Sequence, residues 1–248
     1  TGKEAYRERA LKNMAFLEEN FKQSDGSWYR SGTYLDGAWR LQYDAYLEDY
    51  AYLAEAMLEI YELTFDPTWI RKAADLCERV ITDFFDSETN LYYFTAQQQV
   101  DIPLRRIDVM DNAIPSGNAV LFNVFQRLGV LTGDQGLVER ARKMALQVLK
   151  GIDRYPGSFA RWTKGLLGLV YPVKEIAIVG VEAVAFAKKI QTLPLLHRVI
   201  MATVEENKDF PLLADRLLRG DTQIYVCENF TCQRPVDNVE AATSILGI

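Results

Sequence analysis

Apolar positions recur at helical spacing through the first two thirds of the chain. Ala10, Met14, Leu17 and Phe21 predict a helix over 6–21. Between 43 and 63, Tyr46, Tyr50, Leu53 and Met57 form one stripe, with Leu47, Ala51, Ala54 and Leu58 beside it. That pattern predicts a helix with a wide apolar face. Asp66-Pro67 opens a third helix, with Asp66 as N-cap and Pro67 at the first helical position. Its apolar face is Trp69, Ala73, Leu76, Val80 and Phe84. A fourth helix is predicted from Pro115-Ser116 to Gly129, a fifth over 135–152, and a sixth over 158–170, stopped before Pro172. Beyond Tyr171-Pro172 the pattern changes. The β-branched run 176–180, ended by glycine, predicts a buried strand. Strands are also predicted over 198–204 and 222–226, with helices over 182–190 and 240–246. The chain therefore divides into a helical part, 1–171, and a small α/β appendage, 172–248.

The helical part repeats itself. LTFDPTWIRKAADLCERV (63–80) aligns with LTGDQGLVERARKMALQV (131–148), so Thr64-x-Asp66 recurs as Thr132-x-Asp134. Each copy reads as a helix, an Asp-capped turn and a second helix. Aromatic loops follow the first and third helices, at Trp28-Tyr29 and Tyr92-Tyr93-Phe94, and predict small hairpins at one rim. Paired helices at this pitch imply a solenoid or a closed helical toroid.

Composition narrows the class. The 248 residues are 49% hydrophobic and 25% charged, enough apolar content for a core without staples. The net charge is −6 and no basic block stands out, which argues against a nucleic-acid partner. No apolar run reaches the roughly 20 residues of a membrane span. Three cysteines, Cys77, Cys227 and Cys232, are too few for a disulfide-rich secreted fold. A start without a signal peptide or initiator Met suggests a cytoplasmic protein, processed or excised from a longer one.

Four stretches then carry a resemblance: YLEDYAYLAEAMLEIYELTFDPTWIRKA (46–73), DNAIPSGNAV (111–120), KEIAIVG (174–180) and YVCENFTCQRPV (225–236). In this order they resemble the C-terminal part of the YyaL-type thioredoxin-domain-containing proteins, the family of the mammalian spermatogenesis-associated relative. The resemblance implies an N-terminal thioredoxin-like domain with a Cys-x-x-Cys pair, which this chain lacks, as a partner within a longer protein. It also implies that the helical part is similar to the six-hairpin (α/α) toroids of glycosidases and sugar epimerases. The expected fold is thus mainly α, part of such a toroid, with the α/β appendage at its C-terminal end.

The candidate chemistry sits at helix starts. In a toroid, Asp49 and Asp111 would open neighbouring inner helices and face one cavity as an acid/base pair, with Glu48 beside them. The alternative is that all three are caps and first-turn acids favoured by the helix dipole. Ser116 and Asn118, around Gly117, either bind sugar hydroxyls or belong to a tightly packed helix start. Trp39 and Tyr43, with Trp28, Tyr29, Tyr92, Tyr93 and Trp162, either stack on a carbohydrate ligand or pack the ends of the hairpins. The single histidine, His197, lies in the appendage, so the helical part cannot house a His-based epimerase or a Ser-His-Asp triad. No phosphate loop is present, four zinc ligands do not assemble, and no cofactor is expected. Asn229 suits a turn that brings Cys227 and Cys232 together. They are expected as reduced thiols, and as a redox contact for the thioredoxin-like domain. Two functions follow: a binding or scaffold domain, or a carbohydrate-active enzyme working through Asp49 and Asp111.

Overall fold

The computed structural model describes residues 2–99, 102, 104–216 and 220–248. Among them are eight α-helices and two sheets. α1 (Glu4–Asn20) leads into an antiparallel hairpin of β1 (Tyr29–Leu35) and β2 (Ala38–Asp44). Four helices follow: α2 (Leu47–Thr64), α3 (Thr68–Asp83), α4 (Gly117–Thr132) and α5 (Gln135–Arg154). A 3₁₀ turn, Pro156–Phe159, enters α6 (Ala160–Val170). The remaining elements are β3 (Lys174–Val179), α7 (Ala183–Gln191), β4 (Arg198–Thr203), β5 (Gln223–Glu228), β6 (Thr231–Cys232) and α8 (Val239–Leu246). No helix is long and apolar enough to cross a membrane among the described residues.

The predicted repeat is visible in its hydrogen bonds. Thr64 donates to Ile60 O and accepts from Asp66 N, and Asp66 accepts from Thr68 N. Thr132 donates to Leu128 O and accepts from Asp134 N, and Asp134 accepts from Gly136 N and Leu137 N. Both turns pass through a left-handed residue, Phe65 in one and Gly133 in the other. α2 and α4 run side by side and parallel. Gly117 abuts Glu48 at their starts, and Arg127 reaches Glu59 and Glu62 near the end of α2. The two turns therefore lie at one end, where Asp209 pairs with Arg71 and Pro211 covers Gly133.

The toroid is not there. In a closed ring of hairpins the inner helices surround an axis. Here α4 occupies the middle, touching α2, α3, α5, α6 and β4. Eleven of its sixteen residues are buried, including Val120, Leu121, Phe122, Val124, Phe125 and Leu128, on more than one face. A helix apolar nearly all round needs cover on all sides, and the β-sheet supplies the cover that further hairpins would give in a ring. The fold is a helical layer built on α4, flanked by a two-stranded hairpin and backed by a mixed sheet.

That sheet has the order β4-β3-β5-β6. β3 pairs parallel with β4, and the β5 and β6 pairings are antiparallel. Its buried faces carry Ile176, Ile178, Val199, Met201, Ile224 and Val226. The strands and helices expected in 172–248 fall within a residue or two of these elements. The runs are short, β-branched and bounded by turns, so local sequence is decisive there.

Candidate functional site

The N-terminal ends of α2 and α4 form one rim. Gly117 makes this approach close: a Cβ there would stand 3.0 Å from the Cα and N of Glu48. Tyr52 fixes the same crossing by donating to Pro115 O at 3.0 Å. The irregular stretches 84–99 and 104–116 are laid over the rim and tied down by side chains. Asn118, fully buried, donates to Tyr92 O and Asp108 O and accepts from Tyr92 N. Ser116 caps α4 at Ala119 N and donates to Val109 O, which also accepts from Trp162 Nε1. Buried backbone groups far from water require such partners.

The sequence-predicted acids are part of this fastening. Asp111 accepts Ser116 N–H on one oxygen at 3.0 Å and Arg161 N–H on the other at 2.8 Å. Asp49 accepts the backbone N–H of Tyr46, just before α2, and pairs with Arg30, both at 2.8 Å. Burial pushes the Asp49 carboxyl above the usual carboxylate range, against the pull of Tyr46 N–H and Arg30. Glu48 holds the other arm of Arg30 at 2.8 Å. A cleft of about 330 Å³ opens at the rim, walled by Arg30, Glu48, Phe94, Arg106, Asp108 and Ile114 among others. Ser116 and Gly117 reach its wall, while Asp49 and Asp111 do not.

The predicted aromatics divide differently. Trp28, Tyr92 and Trp162 are core. Trp39 packs against Phe16, Phe21 and Tyr34, bracing the β1–β2 hairpin on α1. Tyr43 is mostly exposed, with a left-handed backbone. Neither Trp39 nor Tyr43 lines the rim cleft. Sequence reasoning passed over a ladder of four side chains there. Arg30 lies over the Tyr46 ring at 4.7 Å, Tyr46 packs tilted against Phe94 with ring centroids 4.6 Å apart, and Arg106 lies over Phe94 at 4.6 Å. The available signal was a basic residue following each aromatic loop, Arg30 after Trp28-Tyr29 and Arg105-Arg106 after 92–94. Stacked guanidinium and aromatic faces attract by cation–π interaction, here with apolar Met110 and Ile114 exposed alongside.

A second cleft, about 290 Å³, lies where α2, α4 and α6 meet β4. Arg127 pairs with Glu59 and Glu62 across it, Arg161 pairs with Glu55, and Gln191 donates to Glu62 O. His197 sits here. Desolvation and the neighbouring Lys164 push its imidazole below the usual histidine range.

Cys227 and Cys232 are joined in a disulfide, with Cα atoms 3.9 Å apart. The expected proximity is there, but the expectation of reduced thiols is corrected: the sulfurs are bonded. The two residues are direct partners in the β5–β6 register, so the hairpin itself brings the sulfurs together. Cys77 is the free cysteine, fully buried on α3, where desolvation pushes its thiol far up. No cluster of three or more metal-ligating side chains occurs among the described residues.

Comparison with known proteins agrees with the resemblance in part. The human spermatogenesis-associated protein 20 is 25% identical over 202 residues, covering 77% of this chain. The chain is distantly homologous to it. The mouse protein of that name is 24% identical over the same length. The uncharacterized protein B0495.5 of Caenorhabditis elegans is 21% identical over 247 residues, 95% of this chain. The chain spans 26% of the human relative and 33% of the nematode one. No family model matches the chain.

Proposed function

We propose that this chain is a non-catalytic binding module within a longer protein, and that its rim cleft docks the thioredoxin-like domain implied by the resemblance. The observation that carries the reading is the engagement of the acids. Both oxygens of Asp111 accept backbone N–H groups, and Asp49 is shared between Tyr46 N–H and Arg30. A general acid or base needs an oxygen free to reach substrate; both Asp111 oxygens are taken, Asp49 holds Tyr46 N–H and Arg30 on Oδ2, and neither side chain lines the rim cleft. The carbohydrate-active alternative has no comparable support, since the flat face at the cleft, Phe94, is already covered by the Arg106 guanidinium.

The cleft suits a protein surface. It mixes guanidinium groups, the carboxylates of Glu48 and Asp108, and the exposed apolar side chains of Met110 and Ile114. Arginine and apolar anchors of this kind carry most of the energy of protein interfaces. The relatives extend over about three times the length of this chain or more, which supports a partner domain on the same polypeptide. The test is calorimetric titration of this chain with the separately produced thioredoxin-like part of the longer protein. Saturable binding is expected, weakened about tenfold or more by Arg106→Glu with Ile114→Asp, as for the loss of interface anchors. Absence of binding, or equal binding by the double variant, would overturn the proposal.

A further inference from the structure

The β5–β6 hairpin gathers groups that the rim does not use. The register pairs Glu175 with Cys227 and Cys227 with Cys232, so all three lie on one face of the sheet. Arg216 reaches the same place. Its Nη2 lies 2.8 Å from Cys232 Sγ and 3.8 Å from Cys227 Sγ. Its guanidinium rests on the Tyr225 ring at 4.3 Å, and no carboxylate among the described residues pairs with it. A positive charge pinned against sulfur favours the thiolate over the thiol.

The hairpin is accessible and held under constraint. Cys227 is 1% exposed, Cys232 is partly exposed, and a cleft of about 310 Å³ runs beside them along Val226, Glu228, Asn229, Thr231 and Gln233. The two-residue turn needs positive φ at both positions, 50° at Asn229 and 59° at Phe230. Asparagine tolerates this, but phenylalanine in the left-handed region is strained. Glu175 accepts the Phe230 N–H at 2.9 Å and holds the turn from beneath.

We propose that the Cys227–Cys232 hairpin is a thiol–disulfide exchange site that accepts two electrons from a dithiol, with Arg216 stabilising the departing thiolate. A thiolate of the donor attacks the accessible Cys232 sulfur, the S–S bond breaks, and its electron pair leaves on Cys227. The second donor thiol, as thiolate, then attacks the donor sulfur of the mixed disulfide and expels Cys232 as a thiolate. The donor ends as a disulfide, and the two protons lost by its thiols are taken up by Cys227 and Cys232. Because Arg216 lies near both sulfurs, each departing thiolate meets its charge. Leaving-group stability sets the rate of such exchange. The inference is independent of the rim cleft.

The test is native-state reduction of the whole chain with dithiothreitol, quenched by alkylation and read by mass, with circular dichroism recording the fold. Wild type, Arg216→Gln and Arg216→Lys are compared, and the buried Cys77 serves as the unlabelled internal control. The wild-type pair is expected to reduce while the chain stays folded and to re-form with oxidised dithiothreitol. The glutamine variant is expected to reduce about tenfold more slowly, with the lysine variant in between, following leaving-group stabilisation. In the reduced protein, alkylation rate against pH should shift to higher pH in Arg216→Gln, which a merely structural role would not produce. If Arg216→Gln does not fold, the lysine variant and the wild-type measurement carry the test. A disulfide that yields only on unfolding, equal rates in wild type and the Arg216 variants, or two alkylatable thiols before any reductant would each overturn the proposal.

Discussion

Asp111 and Arg161, fifty residues apart, are joined at 2.8 Å from the carboxylate to the backbone N–H at the start of α6. The other oxygen of the same carboxylate takes Ser116 N–H before α4. One side chain thus ties two helix starts and the loop that precedes them.

Asp111→Asn places an amide NH₂ against one of these two N–H donors. It is expected to lower stability by about 1–3 kcal/mol, the cost of an unmatched buried donor. The urea midpoint reads this directly. An unchanged midpoint would show that the carboxylate is not a structural tie.

Gly117→Ala pushes a methyl to 3.0 Å from the Glu48 backbone, which has little freedom to move. A loss of about 1–3 kcal/mol is expected from overpacking. The same change in the exposed turn at Gly157, where a Cβ meets nothing within 4 Å, should cost far less. Thermal midpoints of the two variants compare the sites.

His197 has its folded-state value depressed by burial and Lys164, with Arg198 beside it and Glu62 and Arg161 on the same cleft. The stability it permits is present above the ordinary histidine value and is lost as pH falls toward the lowered one. Acidification from pH 7 to 5 should therefore destabilise wild type more than His197→Gln. Parallel denaturation profiles for the two would contradict this placement.

Glu175 behaves oppositely. Burial raises its carboxyl above the usual range, more than the N–H groups of Phe230 and Asn229 lower it, and Glu228 adds repulsion. Its contribution is fully present below the ordinary glutamate value and is lost as pH rises through the raised one. Glu175→Gln keeps an acceptor for Phe230 and should match or exceed wild-type stability at pH 7. Glu175→Ala leaves that N–H unpaired and should cost about 1–3 kcal/mol.

Much of the fold was legible because it is local. The Thr-x-Asp turns, the apolar stripe of α2 and the short strands of the appendage each follow from spacing and cap chemistry within a few residues. Closure was not legible. Whether paired helices form a ring depends on what covers α4, and that is decided by β4, some seventy residues away. The starts of α2 and α4 do meet, as Gly117 and Glu48 show. Sequence alone could not tell whether Asp111 faces a cavity or a backbone N–H, because its partner Arg161 lies fifty residues away, whereas the bond from Tyr46 N–H to Asp49 spans three residues and is local cap chemistry. The Arg30–Tyr46–Phe94–Arg106 ladder has the same origin, three separate segments brought together at one rim.

Hydrogen exchange at the rim tests the central claim most directly. The backbone amides of 46–49, 94 and 104–117 are followed in this chain alone and in the full-length protein that carries the thioredoxin-like domain. Docking predicts slower exchange across these segments in the full-length protein, with the Arg106→Glu, Ile114→Asp variant returning to the rates of the isolated chain. Identical rim exchange in both, together with turnover of a glycoside that Asp49→Asn or Asp111→Asn abolishes without loss of stability, would contradict the account.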